Sequence, residues 1–276
     1  MMTLVQKTID NVPKLGPKLG LIAEGVLVSI VGIGFAINSS AVTWLWPCPD
    51  HPMTGVLLAA LLVSYGSGSI FVACTADWRG ATSGGALALV VGFGGFALAI
   101  STSEYSGHAT QVLPHAIVLG AIALVSACAV YAGQSSERSP TLPAPLLVRA
   151  TLLVLALGLA LMGYGLLAGW HGILPWHVDA PTAILVGWLF IGFAADYVLT
   201  ALQGNRSACD VLLFGIVVYN SVMILPLLRG MAIASPVELA SLTGNIIGMF
   251  ATTLFSGYFL SRGYNQTWKW SNALSA

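Results

Sequence analysis

The residues best able to do chemistry are two carboxyls and two amides placed inside long apolar segments: Glu24, Asp196, Asn220 and Asn245. An ionisable side chain in hydrocarbon costs free energy, so it normally faces a partner or a water-filled cavity. Asp196 lies within Phe193–Val198, where no other residue is charged. A carboxyl in such a place can take up and release a proton, so proton exchange is the first chemistry that the sequence suggests.

A second set of polar residues includes every histidine in the chain. Imidazole and carboxylate groups together can bind a transition metal or titrate near neutral pH, and a histidine such as His115 at the mouth of a helix can ligate haem. No pair has the spacing of two metal ligands on one helix, so these residues could equally be ordinary loop residues. Whether any metal or cofactor binds is left open. The set comprises Asp50, His51, His108, His115, His171, His177 and Asp179.

The composition indicates a membrane protein. Apolar residues make up 57% of the 276-residue chain and charged residues 7%, against roughly 25% charged in a typical soluble domain. Because so few charges cannot solvate a globular surface, we expect lipid to cover most of the protein. The net charge is zero, which argues against nucleic acid as a partner, since phosphate binding needs a basic surface.

Apolar segments long enough to cross a bilayer predict an all-α integral membrane protein with about eight transmembrane helices. Short loops of Pro, Asp, Ser and Gly separate these segments. We expect small residues such as Gly92, Gly95 and Gly163 to let the helices pack closely. The predicted spans are 19–38, 54–76, 84–102, 112–133, 149–170, 182–203, 210–228 and 238–260.

The distribution of basic residues predicts the orientation. With the N-terminus inside, nine of the ten Lys and Arg residues fall in inner segments and only Arg229 falls outside. Cytoplasmic loops of membrane proteins carry this excess of Lys and Arg. The sequence therefore predicts a multi-pass protein of the cytoplasmic membrane with both termini inside, and the histidine set on its outer face.

A Pro- and Ser-rich inner segment, 135–148, divides the chain into two predicted units of four helices, 1–134 and 149–276. At a shift of 128 positions, Thr54 corresponds to Thr182 and Leu57 to Leu185, and both follow Pro-rich loops of similar length. An even number of helices in each unit would make them parallel repeats, related by an axis along the membrane normal. The alternative is two unrelated helical bundles.

The depth of the polar residues suggests a path. At about 1.5 Å per residue, Asp196 and Glu24 both lie about 21–22 Å below the outer edge, with Asn220 at about 17 Å and Asn245 at about 12 Å. We therefore expect a polar path that opens outward and has a carboxyl near its floor. In the alternative, Glu24 extends to the inner surface and Asp196 bonds a neighbouring helix. Two tyrosines flank the set, Tyr197 and Tyr219.

Three functions follow from these features. The first is transport, either of a small solute or linked to protons, through a polar path in the second unit. The second is a membrane enzyme or redox-complex subunit with a haem, metal, quinone or lipid site on the outer face. The third is a structural subunit that assembles with partner membrane proteins or with copies of itself. Because no catalytic motif such as G-x-S-x-G or H-E-x-x-H occurs, whether the protein is an enzyme stays open.

Overall fold

A computed structural model describes residues 12–38, 52–75, 86–102, 117, 142–170, 172–232 and 235–273. Seven α-helices account for most of these residues. Within the described ranges the only β pairing is an isolated antiparallel bridge between Pro143 and Asn205, so the expectation of an all-α fold is confirmed there. The helices are α1 (Val12–Ala36), α2 (Pro52–Thr75), α3 (Ala86–Thr102), α4 (Leu146–Leu167), α5 (Ala180–Gln203), α6 (Arg206–Met231) and α7 (Pro236–Ala273).

Six of the described helices are long and apolar enough to cross a membrane, and α3, with 17 residues, is shorter. Such a set is the architecture of a multi-pass helical membrane protein. Seven of the predicted spans coincide with these helices. The predicted span at 112–133 lies outside the described residues except for Ile117, so the total of eight stays a prediction.

The helices form two packed series. In one, α1 packs on α2, α2 on α6 and α6 on α7; in the other, α4 packs on α5 and α5 on α3. One apolar core unites the two series, because it contains buried residues from all seven helices, such as Leu57 on α2 and Leu185 on α5. A second core joins the start of α4, the end of α5 and the first half of α6, around Val148, Ala201 and Leu213.

Glycines allow the helices to approach each other closely. Gly25 of α1 faces Gly66 of α2, and a Cβ atom on Gly25 would lie 2.5 Å from the carbonyl oxygen of Gly66. On α3, Gly95 accommodates the indole ring of Trp188 from α5. In lipid, where apolar burial gives little drive for association, such close backbone contact stabilises helix pairs. The expectation that small residues serve packing is thus confirmed at Gly92, Gly95 and Gly163, each of which contacts α5.

The turn between α5 and α6 is built by its capping residues. Gly204 ends α5 with φ +61°, a left-handed conformation that glycine adopts at little cost, and Asn205 accepts a hydrogen bond from the Ser207 amide at the start of α6. Residues from the end of the predicted linker pair with this turn: the Ala144 amide donates to the Gly204 carbonyl at 2.8 Å. The guanidinium of Arg149 donates through Nε to the Ala201 carbonyl at 2.7 Å, which places a cation at the negative end of α5.

Candidate functional site

Asp196 lies in the interior of the helix bundle. It is the seventeenth residue of α5, about 24 Å along the helix from Ala180, and only 1% of its surface is exposed. One turn further along α5, Thr200 is equally buried. Burying a carboxyl inside an apolar helix bundle costs free energy. Carboxyls kept in such places in membrane proteins usually have a functional role.

Of the two predicted tyrosines, Tyr197 follows this carboxyl directly in α5, and Tyr219 belongs to α6. Tyr219 lies close to Tyr197 across the interface between α5 and α6. Tyr197 packs against the core that joins α4, α5 and α6, whereas Tyr219 packs against the core that contains all seven helices. The two phenol rings therefore pack against different cores although they are neighbours across the α5–α6 interface.

Glu24 is held by a residue that the sequence alone does not single out. The hydroxyl of Tyr65 on α2 donates a hydrogen bond to Glu24 Oε1 at 2.5 Å. Tyr65 is 3% exposed and Glu24 is half-buried. The Glu24 carboxyl is thus directed toward α2. The alternative, in which this side chain simply extends to the inner surface, does not account for the contact.

Asn220 joins two helices. Its Nδ2 atom donates toward the Met249 carbonyl at 3.1 Å and toward the hydroxyls of Thr252 and Thr253 at 2.9 Å each. An amide nitrogen has two hydrogens to share among these three acceptors of α7. Asn220 is also buried, so its evident role is to fasten α6 to α7.

Asn245 bonds within its own helix. Its Nδ2 atom donates to the Ser241 carbonyl one turn earlier on α7, at 2.9 Å. On α2, Ser64 donates instead across a helix interface, to the Gly215 carbonyl of α6 at 2.8 Å. Polar groups therefore occur on α2 of the first unit as well as on α5, α6 and α7 of the second. A polar path through the second unit stays a prediction.

On the predicted outer face, the structure describes two residues of the histidine set. Asp179 caps α5 by accepting a hydrogen bond from the Thr182 amide at 3.0 Å, and His177 is exposed nearby. In the described part of the chain, no three His, Cys, Asp or Glu side chains come together as metal ligands would. The other members, Asp50, His51, His108, His115 and His171, lie outside the described residues.

A pocket of about 290 Å³ opens beside these two residues, between the end of α4 and the start of α5. Its apolar wall includes Leu166, Leu174 and Trp176. Trp176 is fixed in place because its Nε1 atom donates to the Thr54 hydroxyl of α2 at 3.3 Å. This volume is close to the lower limit for pockets that bind small molecules, about 300 Å³.

Comparison with known proteins gives no assignment, because no protein family, curated protein or solved structure matches the chain.

Proposed function

We propose that the chain is a multi-pass transport protein of the cytoplasmic membrane, with both termini inside, in which Asp196 binds and releases a proton as a small solute crosses. The observation that carries this proposal is the enclosure of the Asp196 carboxyl deep within α5, with 1% of its surface exposed. A structural role alone would be served at lower cost by an apolar residue of similar size.

Because Asp196 is buried, its protonation depends on whether water can reach it, and transport can use this dependence. A charged carboxylate is costly away from water, whereas the neutral carboxylic acid is tolerated. When the bundle opens to one side, water can reach Asp196 and the proton can leave; when it closes, the neutral acid is favoured. Binding of a solute beside Asp196 and its protonation are then coupled through the same conformational change.

We also propose that the protein consists of two related four-helix units, because equivalent helix pairs pack in the same register. A Cβ atom on Gly32 of α1 would meet Ala59 and Val63 of α2. A Cβ atom on Gly163 of α4 would meet Gly187 and Ile191 of α5. The contacted residues of α5 follow those of α2 by 128 positions each, which is the shift at which these two helices align in sequence, whereas Gly163 follows Gly32 by 131.

A second interface supports the same relation. Ser64 of α2 contacts Gly215 of α6, and Gly192 of α5 contacts Ala88 of α3. Gly192 follows Ser64 by 128 positions and Gly215 follows Ala88 by 127. Thus α2 of the first unit packs on α6 of the second, and its counterpart α5 of the second unit packs on α3 of the first. A two-fold axis along the membrane normal relates parallel repeats of this kind, and a solute path along that axis would lie between the units.

The polar groups also suggest which solutes to test. The described interior offers a few hydroxyls and amides besides the two carboxyls, and Asn220 and Asn245 already bond to α7. Such an interior could replace the hydration of a weakly polar solute, but not that of a sugar or a multiply charged ion, which need many hydrogen-bond partners. We therefore expect a small, weakly polar or singly charged solute.

Carbodiimide labelling tests this function even while the solute is unidentified. Dicyclohexylcarbodiimide enters apolar regions and reacts with protonated carboxyls, and mass spectrometry of the Asp196 peptide measures the product. We expect labelling of Asp196 that rises as pH falls, and protection by the transported solute within a panel of weak acids, amines and neutral amphiphiles. Asp196→Asn should abolish the label, whereas Asp210→Asn, whose carboxyl pairs with Arg206 at the start of α6, should leave it. An Asp196 that never reacts would contradict the proposal.

A second function, binding of a quinone or lipid at the outer face, is favoured by the pocket beside His177. Its aromatic and aliphatic wall suits a flat apolar ring, and the imidazole could donate a hydrogen bond to a ring oxygen. Quenching of tryptophan fluorescence by a short-chain benzoquinone, reduced in Trp176→Phe but not in Trp188→Phe, would support this function over transport. Absence of both quenching and solute protection would instead favour a structural subunit that assembles with partner chains.

A further inference from the structure

The contact between Glu24 and Tyr65 lies at the closest approach of α1 and α2. Each residue immediately precedes a glycine, and those two glycines, Gly25 and Gly66, face each other across the interface. Because the backbones are so close, the side chains beside them can meet even though the residues are 41 positions apart in the chain. The helix packing thus selects this pair, and the tyrosine hydroxyl has a carboxylate as its hydrogen-bond acceptor.

The position of Glu24 makes this contact informative. The apolar part of α1 starts at Lys18, so Glu24 lies about 9 Å inside it, within reach of the surface for a long side chain. The carboxyl nevertheless bonds to a tyrosine that is 3% exposed. Holding the group there forgoes its full hydration, which indicates a role beyond that of a surface charge.

In the proposed repeat, the equivalent positions of the second unit indicate that the pair is not needed for packing. Gly163 of α4 follows Gly32 of α1 by 131 positions, so Glu24 corresponds to Leu155 of α4 at that spacing, and Tyr65 corresponds to Phe193 of α5 at the shift of 128. Both are apolar, and α4 and α5 still pack closely through Gly163 and Gly187. The hydrogen bond is therefore an addition to the first unit.

The carboxyl of the second unit likewise has no counterpart in the first, because Asp196 corresponds to Gly68 of α2 at a shift of 128 positions. Among the described residues, the first unit thus has a half-buried carboxyl at Glu24 and the second a fully buried one at Asp196, at different places in the proposed helix pattern. Two carboxyls in non-equivalent positions can serve successive steps, whereas a symmetric pair would face identical surroundings.

We propose that Glu24 is a second proton-binding site, on the inner side of the bundle, and that Tyr65 is the positioning residue that keeps its carboxyl among the helices. The site takes a proton from inner water as the carboxylate becomes a carboxylic acid, and returns it by the reverse step. Its part in transport rests on the proposed function. Besides Glu24, the titratable side chains that the structure describes on α1 and α2 are Lys18, Tyr65 and Cys74; α6, which joins them through Val211, contributes Arg206, Cys209, Asp210, Tyr219 and Arg229.

Two carbodiimides of opposite polarity test the positioning role on the purified full-length protein. We expect Glu24 in the native protein to react with dicyclohexylcarbodiimide and to react poorly with a charged, water-soluble carbodiimide supplied with an amine. In Tyr65→Phe the carboxyl should turn to the inner surface, so labelling by the apolar reagent should fall several-fold and labelling by the water-soluble reagent should rise. Tyr164→Phe, which alters an exposed tyrosine of α4, should change neither.

Labelling is measured separately on the Glu24 and Asp196 peptides, so the two proposals can fail independently. Equal reaction of native Glu24 with both reagents, or labelling that is unchanged in Tyr65→Phe, would overturn the proposal for Glu24 whatever Asp196 does. Tyr65→Phe keeps the aromatic ring and should fold. If Tyr65→Phe gives less monodisperse protein, Glu24→Gln provides a second measurement. The ultraviolet resonance Raman signal of Tyr65 should shift in Glu24→Gln, and an unchanged signal would contradict the contact.

Discussion

A Cβ atom on Gly163 would lie 2.7 Å from the carbonyl oxygen of Gly187, and one on Gly187 would lie 3.0 Å from the carbonyl oxygen of Gly163. The backbones of α4 and α5 are therefore in direct contact at these residues. Any larger side chain must push the helices apart. Because α5 carries Asp196, the contact also sets where that carboxyl lies relative to α4.

Gly163→Val should destabilise the protein by about 1–3 kcal/mol, the usual cost of overpacking a close contact. Gly158→Val on the same helix is the matched control, because nothing lies within 4 Å of a Cβ atom there, and it introduces the same β-branched side chain. Thermal unfolding in one detergent measures both. Similar loss of stability in the two variants would argue against a close contact between α4 and α5.

Asn220→Ala should weaken the attachment of α6 to α7, since it removes the amide that donates to Met249, Thr252 and Thr253. Hydrogen bonds between membrane helices contribute about 0.5–2 kcal/mol, so a loss of that size is expected. Asn245→Ala, which removes only a bond within α7, should cost less. The comparison uses unfolding in a mild detergent, and an equal or larger effect of Asn245→Ala would contradict the assigned roles.

The predicted orientation places the end of α2 inside the cell, where Cys74 is exposed. With the other cysteines replaced by alanine, a membrane-impermeant maleimide should label Cys74 in inside-out vesicles and leave it unlabelled in right-side-out vesicles. Cys74→Ser in the same background is the control for background labelling. Labelling confined to right-side-out vesicles would reverse the orientation inferred from the basic residues.

The sequence predicts the helices well because a helix that crosses a membrane needs a long apolar stretch, and hydropathy averaged over about 19 residues detects such a stretch. Where the helices extend beyond the apolar stretch, prediction fails: α1 starts at Val12, ahead of the predicted 19, and α7 continues to Ala273, past the predicted 260. Hydrogen bonding along the backbone can continue a helix past its apolar residues, and hydropathy does not record this.

The partners of the polar residues were less predictable. Glu24 and Tyr65 belong to different helices, and only the meeting of Gly25 and Gly66 brings them together. Asn220 has the depth expected of a path residue, yet its amide is occupied by α7. Composition and depth along one helix indicate how far a residue lies from the surface. They do not indicate which side of the helix meets a neighbour.

The measurement that tests the central claim most directly is infrared spectroscopy of the protein in lipid, titrated over pH in H₂O and D₂O. If Asp196 exchanges a proton inside the bundle, the native spectrum contains a carbonyl stretch of a protonated carboxylic acid that diminishes as pH rises and shifts in D₂O. This band should disappear in Asp196→Asn and persist in Asp210→Asn. A native spectrum that matches that of Asp196→Asn in this region at every pH would contradict the claim that Asp196 carries the proton.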